Sequence, residues 1–222
     1  MVLEVFRQSD RLQKVSDQIT RMLNESRHVF DEAMSALLAG ADPAALDDDI
    51  HGTDRRINAL EQEIRRELVI HTSVRGTADI TAVLILLMVG RKIERMGDNA
   101  KNIYDIAAQG IDLAEAPDHA ELAGYRDEVS QAITRAGEVF NSGDVEAART
   151  FAERMVQLQR EFDQHVDTLI VSDAPSTHGV PRALLYRYLK RIVANLEGMA
   201  SAVANPFDLI DYTPEGDEQG ET

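Results

Sequence analysis

Apolar residues in this chain return every three or four positions over stretches longer than an ordinary helix. Leu12, Val15, Ile19, Met22, Val29 and Leu37 keep mostly to such steps or their multiples, as one buried helix face requires. "GADP" at 40–43 interrupts the pattern, and Pro43 suits the first turn of a new helix. Leu46, Ile50, Ile57, Leu60, Ile64 and Leu68 carry the second run. A third extends from near Thr77 to about Gln109, with Gly110 placed to cap it.

After a connector at 111–120, Leu122, Tyr125, Val129, Ile133, Val139 and Phe140 mark a fourth helix. "NSGD" at 141–144 is a turn with a good cap. Val145, Phe151, Met155, Leu158, Phe162, Val166 and Leu169 mark a fifth, and Pro181 is placed to open a sixth. No stretch alternates as a strand would. Helices of about 25–35 residues are unusual outside bundles and coiled coils. The expected fold is therefore all-α: two antiparallel three-helix bundles in tandem, spanning 1–110 and 121–205. Residues 206–222 form an acidic tail, whose end, "TPEGDEQGET" at 213–222, is expected to be disordered. Within "NPFDLIDY", Phe207, Ile210 and Tyr212 pack onto the bundle or form an exposed hook. "KIERMG" at 92–97 superimposes on "YLKRIV" at 188–193, pairing Arg95 with Arg191. Each lies in the third helix of its half, the mark of an internal repeat.

A chain of 222 residues with 44% apolar content can bury a real core. It has no cysteine, so a metal would have to bind oxygen or imidazole. Its net charge of −16 argues against direct nucleic-acid binding, which needs a basic face. The start, "MVLEVFRQSDRLQKV", lacks the form of a signal peptide. The longest apolar run, Ala82–Gly90, is too short to cross a bilayer. A cytoplasmic protein, peripheral to the membrane rather than spanning it, is expected.

Chemistry concentrates just past that run, in "GRKIERMGDNAKNIYDIA" at 90–107. Glu94 and Asp98 lie one turn apart on one helix face, and Asn102 continues the line. Asp54 and Glu61 share a face of the second helix. Oxygen ligands so spaced suit Fe, Mn, Mg or Zn. Gly97 weakens the helix by about 1 kcal/mol relative to alanine and allows close approach of a helix or a ligand. The plainer reading is that Lys92, Arg95 and Lys101 pair with these acids on a solvated surface. The six histidines form no HxxxH pair, and no nucleophile motif or glycine-rich phosphate loop occurs.

The motif "KIERMGDNAKNI" resembles the signature of the PhoU family of phosphate-transport regulators. There a Glu-x-x-x-Asp motif precedes an Asn-Ile pair, here Glu94, Asp98, Asn102 and Ile103. "TDRRINALEQEI" at 53–64 resembles the family's second helix, with Asp54, Ile57, Asn58, Leu60 and Glu61 matching, and Asp79 matches an acid at the start of the third. The second half keeps the framework at Arg187, Tyr188, Leu189, Arg191 and Ile192. Its acids are replaced by Lys190 and Ala194, and Val193 stands for Gly97.

Some family members bind multinuclear iron or zinc clusters at both motifs. The resemblance carries a ligand role over only to Glu94 and Asp98, with Asp54, Glu61 and Asn102 as weaker candidates. It implies at most one iron or zinc site, because a cation is repelled at Lys190. It further implies a non-enzymatic regulator that docks on the cytoplasmic face of a phosphate transporter and on a sensor histidine kinase. A homodimer formed through helix faces is also expected. The alternative is a carboxylate-bridged metal protein for storage or redox chemistry. Known di-iron bundles use Glu-x-x-His pairs, and neither the third nor the sixth helix contains one.

Overall fold

The computed structural model describes residues 9–173 and 175–211. Six α-helices account for most of them, with no strand among the described residues. They are α1 (Asp10–Leu38), α2 (Pro43–Arg75), α3 (Ile80–Ala108), α4 (His119–Ser142), α5 (Val145–Ile170) and α6 (Ser176–Ala204). A short 3₁₀ turn, Phe207–Leu209, follows.

Local chemistry sets most of the boundaries. Asp42 caps α2, its Oδ1 accepting from the Ala44 N–H at 3.0 Å, with Pro43 directly inside. Asp144 caps α5 in the same way, accepting from Glu146 and Ala147. Two starts differ from expectation. Helix α3 begins at Ile80 rather than Thr77, because Gly76–Asp79 form a turn. Helix α6 begins at Ser176, five residues before Pro181. The Pro175 carbonyl accepts the N–H groups of His178 and Gly179 and so builds a first turn there. Pro181 then costs one backbone bond near the helix start, where its buried ring packs in the core.

The periodic residues form the core. Leu12, Val15, Ile19, Met22, Val29 and Leu37 of α1 are wholly buried, as are Leu185, Leu189 and Ile192 of α6. Each such side chain contributes about 1.5–3 kcal/mol relative to exposure. Val145, the first residue of α5, is an exception and stays partly exposed.

Helices α1, α2 and α3 pack on one another. In the second half α6 is central, packing on both α5 and α4. The halves meet flank to flank through two like pairs, α1 against α4 and α3 against α6, over a continuous core. Both pairs run antiparallel. Ser16 meets Asn141, whereas Arg27 meets Ser130 and Thr134. Lys92 lies against Gly198, while Arg95 and Asn99 face the stretch from Arg191 to Asn195. Antiparallel pairing of equivalent helices relates the halves by an approximate two-fold axis.

The last described residues fold back on this seam. Asp211 N–H donates to Ser201 Oγ at 3.0 Å, and its carboxylate accepts from Lys92 at 2.6 Å. Gly198 leaves the room: a Cβ there would stand 2.2 Å from Lys92 Nζ and 2.5 Å from Asp211 Oδ1. Phe207 and Leu209 remain nearly half exposed, and Ile210 packs against the core. Tyr212 and the acidic tail beyond it lie outside the described residues.

Candidate functional site

The residues singled out in the sequence sit midway along α3. Gly97 does not face a ligand. A Cβ at this position would lie 3.0 Å from Ile57 Cδ1, so the glycine lets α2 approach closely. Glu94 is buried beside it, between α3 and α2. Burial, and next the Asp98 carboxylate, push the Glu94 carboxyl above its ordinary range, while Arg91 pulls it down.

The cation beside Glu94 is Arg91, not Lys92, Arg95 or Lys101. Its Nη1 lies 2.7 Å from Glu94 Oε2 and 3.9 Å from Glu61 Oε1. The approach to Oε2 is off the hydrogen-bonding direction, so that buried oxygen accepts no hydrogen bond. Glu61 also pairs with Arg65 on its own helix. Asp54 pairs with Lys101 across α2 and α3 at 3.5 Å. Lys92 reaches Asp211 instead of the motif acids.

Asp98, close enough to Glu94 to act on its carboxyl, and Asn102 lie on the α6 side. They line a cleft of about 400 Å³ with Arg91, Arg95, Asn99, Arg191, Ala194 and Asn195. The five candidate ligands are thus divided. Asp54 is tied to Lys101, Glu61 and Glu94 gather around Arg91, and Asp98 and Asn102 face the cleft. Among the described residues, no three His, Cys, Asp or Glu side chains converge as a metal site. This donor set does not fit a multinuclear cluster.

The second repeat shows the inverse arrangement. Lys190, at the position equivalent to Glu94, pairs with Asp163 of α5. Arg187 lies 3.8 Å from the same carboxylate. The lysine is therefore neutralised inside its own bundle.

Residues 19–107, which run from α1 to the last turn of α3, match the family model described as "PhoU domain". Residues 19–107 are therefore a PhoU domain. The chain is 23% identical over 209 residues to the "Phosphate-specific transport system accessory protein PhoU homolog" of Xylella fastidiosa (strain Temecula1 / ATCC 700964). That match covers 91% of this chain and 85% of the relative. The crystal structure of PhoU from Pseudomonas aeruginosa superimposes with a TM-score of 0.75 at 22% identity. The overlap covers 87% of this chain and 95% of that one, so the PhoU architecture extends through the second repeat.

Sequence reasoning centred on the acids and missed Arg91, Asn99 and Asn195, and it gave Arg95 and Arg191 no role in a site. A signal was present: the alignment that sets Arg95 on Arg191 also sets Asn99 on Asn195 one turn later. Both pairs line the cleft.

Proposed function

We infer that this protein is a non-enzymatic regulator of phosphate uptake. It docks on the cytoplasmic face of a phosphate transporter and couples uptake to signalling through a sensor histidine kinase. The observation that carries this reading is the PhoU domain over α1–α3, within a likeness to a phosphate-transport accessory protein homologue along 91% of the chain. The structure is compatible with peripheral association: among the described residues no helix is long and apolar enough to cross a membrane. A chain with net charge −16 is steered toward basic partner surfaces, and long helix faces supply the contact area. Self-association into a homodimer belongs to the same reading, and sedimentation tests it.

Deleting the gene is expected to alter phosphate uptake or the phosphate-starvation response. The tagged full-length chain is expected to retain a phosphate transporter from solubilised membranes. Unchanged phosphate physiology in the deletion strain would remove the proposal.

A second reading, a single iron or zinc ion held by Glu94 and Asp98, is favoured by one observation. Glu94 Oε2 is a buried oxygen with no aligned hydrogen-bond donor, so a metal ion could satisfy it by displacing Arg91, whose Nη1 lies 2.7 Å away. Elemental analysis of protein purified without chelator tests it. Stoichiometric metal that disappears in a Glu94→Ala/Asp98→Ala double variant would establish it, and its absence from folded protein would remove it.

A further inference from the structure

The cleft on the approximate two-fold axis has a composition that the acidic motif does not explain. Each half contributes an arginine and an asparagine at matching positions: Arg95 and Asn99 from α3, Arg191 and Asn195 from α6. The two asparagines make the same bond. Asn99 Nδ2 donates to the Arg95 carbonyl, and Asn195 Nδ2 donates to the Arg191 carbonyl at 2.8 Å. Each amide thereby keeps a second N–H to give.

The two guanidiniums are exposed. Among the described residues neither takes part in an ion pair or a side-chain hydrogen bond, although the chain carries net charge −16. Arg91, the third arginine lining the cleft, is committed to Glu94 and Glu61. The replacement of the second motif's acid by Ala194 leaves Asp98 as the one carboxylate of the lining. Two free forks that bind oxyanions bidentately thus face one acceptor that can take a proton-bearing oxygen.

We propose that this cleft binds a phosphate group, with Arg95 and Arg191 gripping its oxygens and Asp98 accepting a hydrogen bond from its protonated oxygen. Inorganic phosphate carries that proton near neutral pH, and sulfate does not. A site that presents a carboxylate acceptor rejects the analogue with no hydrogen to donate, since the acceptor is left facing a second negative charge. The space of about 400 Å³ admits either free phosphate or a small phosphomonoester. The proposal does not rest on the regulatory reading: binding is measured on the isolated chain, and either can fail without the other.

Equilibrium dialysis of the full-length protein against radiolabelled inorganic phosphate, in roughly 0.15 M salt, tests it. Saturable binding at one phosphate per chain is expected. Arg95→Gln and Arg191→Gln should each weaken it about tenfold or more, and the double variant should abolish it. Sulfate should compete at least about tenfold less well than phosphate, and Asp98→Asn should narrow that gap. Arg149→Gln, which alters an arginine paired with Glu146 on an exposed face, should bind like wild type. Competition by AMP or phosphoserine that exceeds inorganic phosphate, and that the double variant abolishes, would assign the phosphate to a phosphomonoester at the same site. No saturable binding up to about 10 mM would overturn the proposal. So would undiminished binding by a double variant whose circular dichroism and melting match wild type.

Discussion

Midway along α3, Glu94 and Asp98 stand where α6 carries Lys190 and Ala194, and two turns after Glu94, Lys101 stands where α6 carries Glu197. The charges have changed, and each of the two lysines has a carboxylate neighbour in its own bundle. Lys101 pairs with Asp54 on α2, and Lys190 pairs with Asp163 on α5. Positions that face the opposite repeat behave differently. Arg95 and Arg191 are the same residue, as are Asn99 and Asn195, and all four line the shared cleft. Where a helix faces its own bundle, the exchanged lysines are thus each compensated by a local carboxylate. In the lining of the seam between bundles the arginine and the asparagine are held constant, while the carboxylate of Asp98 has Ala194 as its counterpart. A charge inside one repeat needs only a local partner, whereas a residue on the axis meets its own equivalent.

The packing difference between the repeats is open to direct attack. Val193, fully buried in α6, occupies the position that Gly97 holds in α3. Val193→Gly removes a buried side chain and adds glycine's cost inside a helix, together about 3 kcal/mol. The midpoint of urea unfolding should fall accordingly. A loss below about 1 kcal/mol would mean that α6 does not use this position for packing. The reciprocal change, Gly97→Val, forces a branched side chain against Ile57, 3.0 Å from where its Cβ would sit. Overpacking of this kind costs about 1–3 kcal/mol. If Gly97→Val proved neutral, α2 and α3 would not be in close contact at this point.

Each repeat also fastens the start of its third helix with a carboxylate, and the two fastenings differ in strength. In the first, Asp79 lies 2.9 Å from the ring of buried His71. In the second, Arg182 makes two bonds of 2.8 Å to Asp118 at the end of the connector. That guanidinium holds the Asp118 carboxyl below its ordinary range. A lowered carboxyl pKa contributes stability that is fully present above the unfolded value, about 4. It is lost as pH falls through the folded value. Asp118→Asn should therefore cost roughly 1 kcal/mol at pH 7, and the gap from wild type should close in acid. A gap that persisted unchanged at pH 2 would show that the bond geometry, rather than the charge, holds the connector.

The helices were legible because a 3.6-residue pattern sustained over 25 residues or more has few other solutions. The caps at Asp42 and Asp144 were equally open to reading. Pro181 misled, since a proline near a helix start marks the boundary only when no earlier turn forms, and Pro175 builds one. The flank-to-flank seam left little trace in the sequence. Its residues are a mixture of Arg, Asn, Ala and Gly that no periodicity marks. Glu94 and Asp98 were found by spacing, but spacing cannot show that Arg91, one turn before Glu94, already lies against that carboxylate. Nor can it show that Gly97 is spent on a helix contact.

The smallest expected effect concerns the second exchanged charge, and it has the opposite sign to the others. Burial, and next the Asp211 carboxylate, push the Glu197 carboxyl above its ordinary range, with Lys92 opposing. A raised carboxyl pKa means that the folded state prefers the protonated form. The penalty is absent below the unfolded value, grows as pH rises through the interval up to the folded value, and is complete above it. Glu197→Gln should therefore melt slightly higher than wild type at pH 7, by a few tenths of a kcal/mol because solvent still reaches the group. The gain should vanish below about pH 4. Lys101→Gln, the equivalent change in the first repeat, removes a cation that already has a partner in Asp54 and should instead lose a similar small amount. If Glu197→Gln destabilised the protein at pH 7, the attraction to Lys92 would outweigh burial, and Glu197 would count as a third member of the Lys92–Asp211 latch.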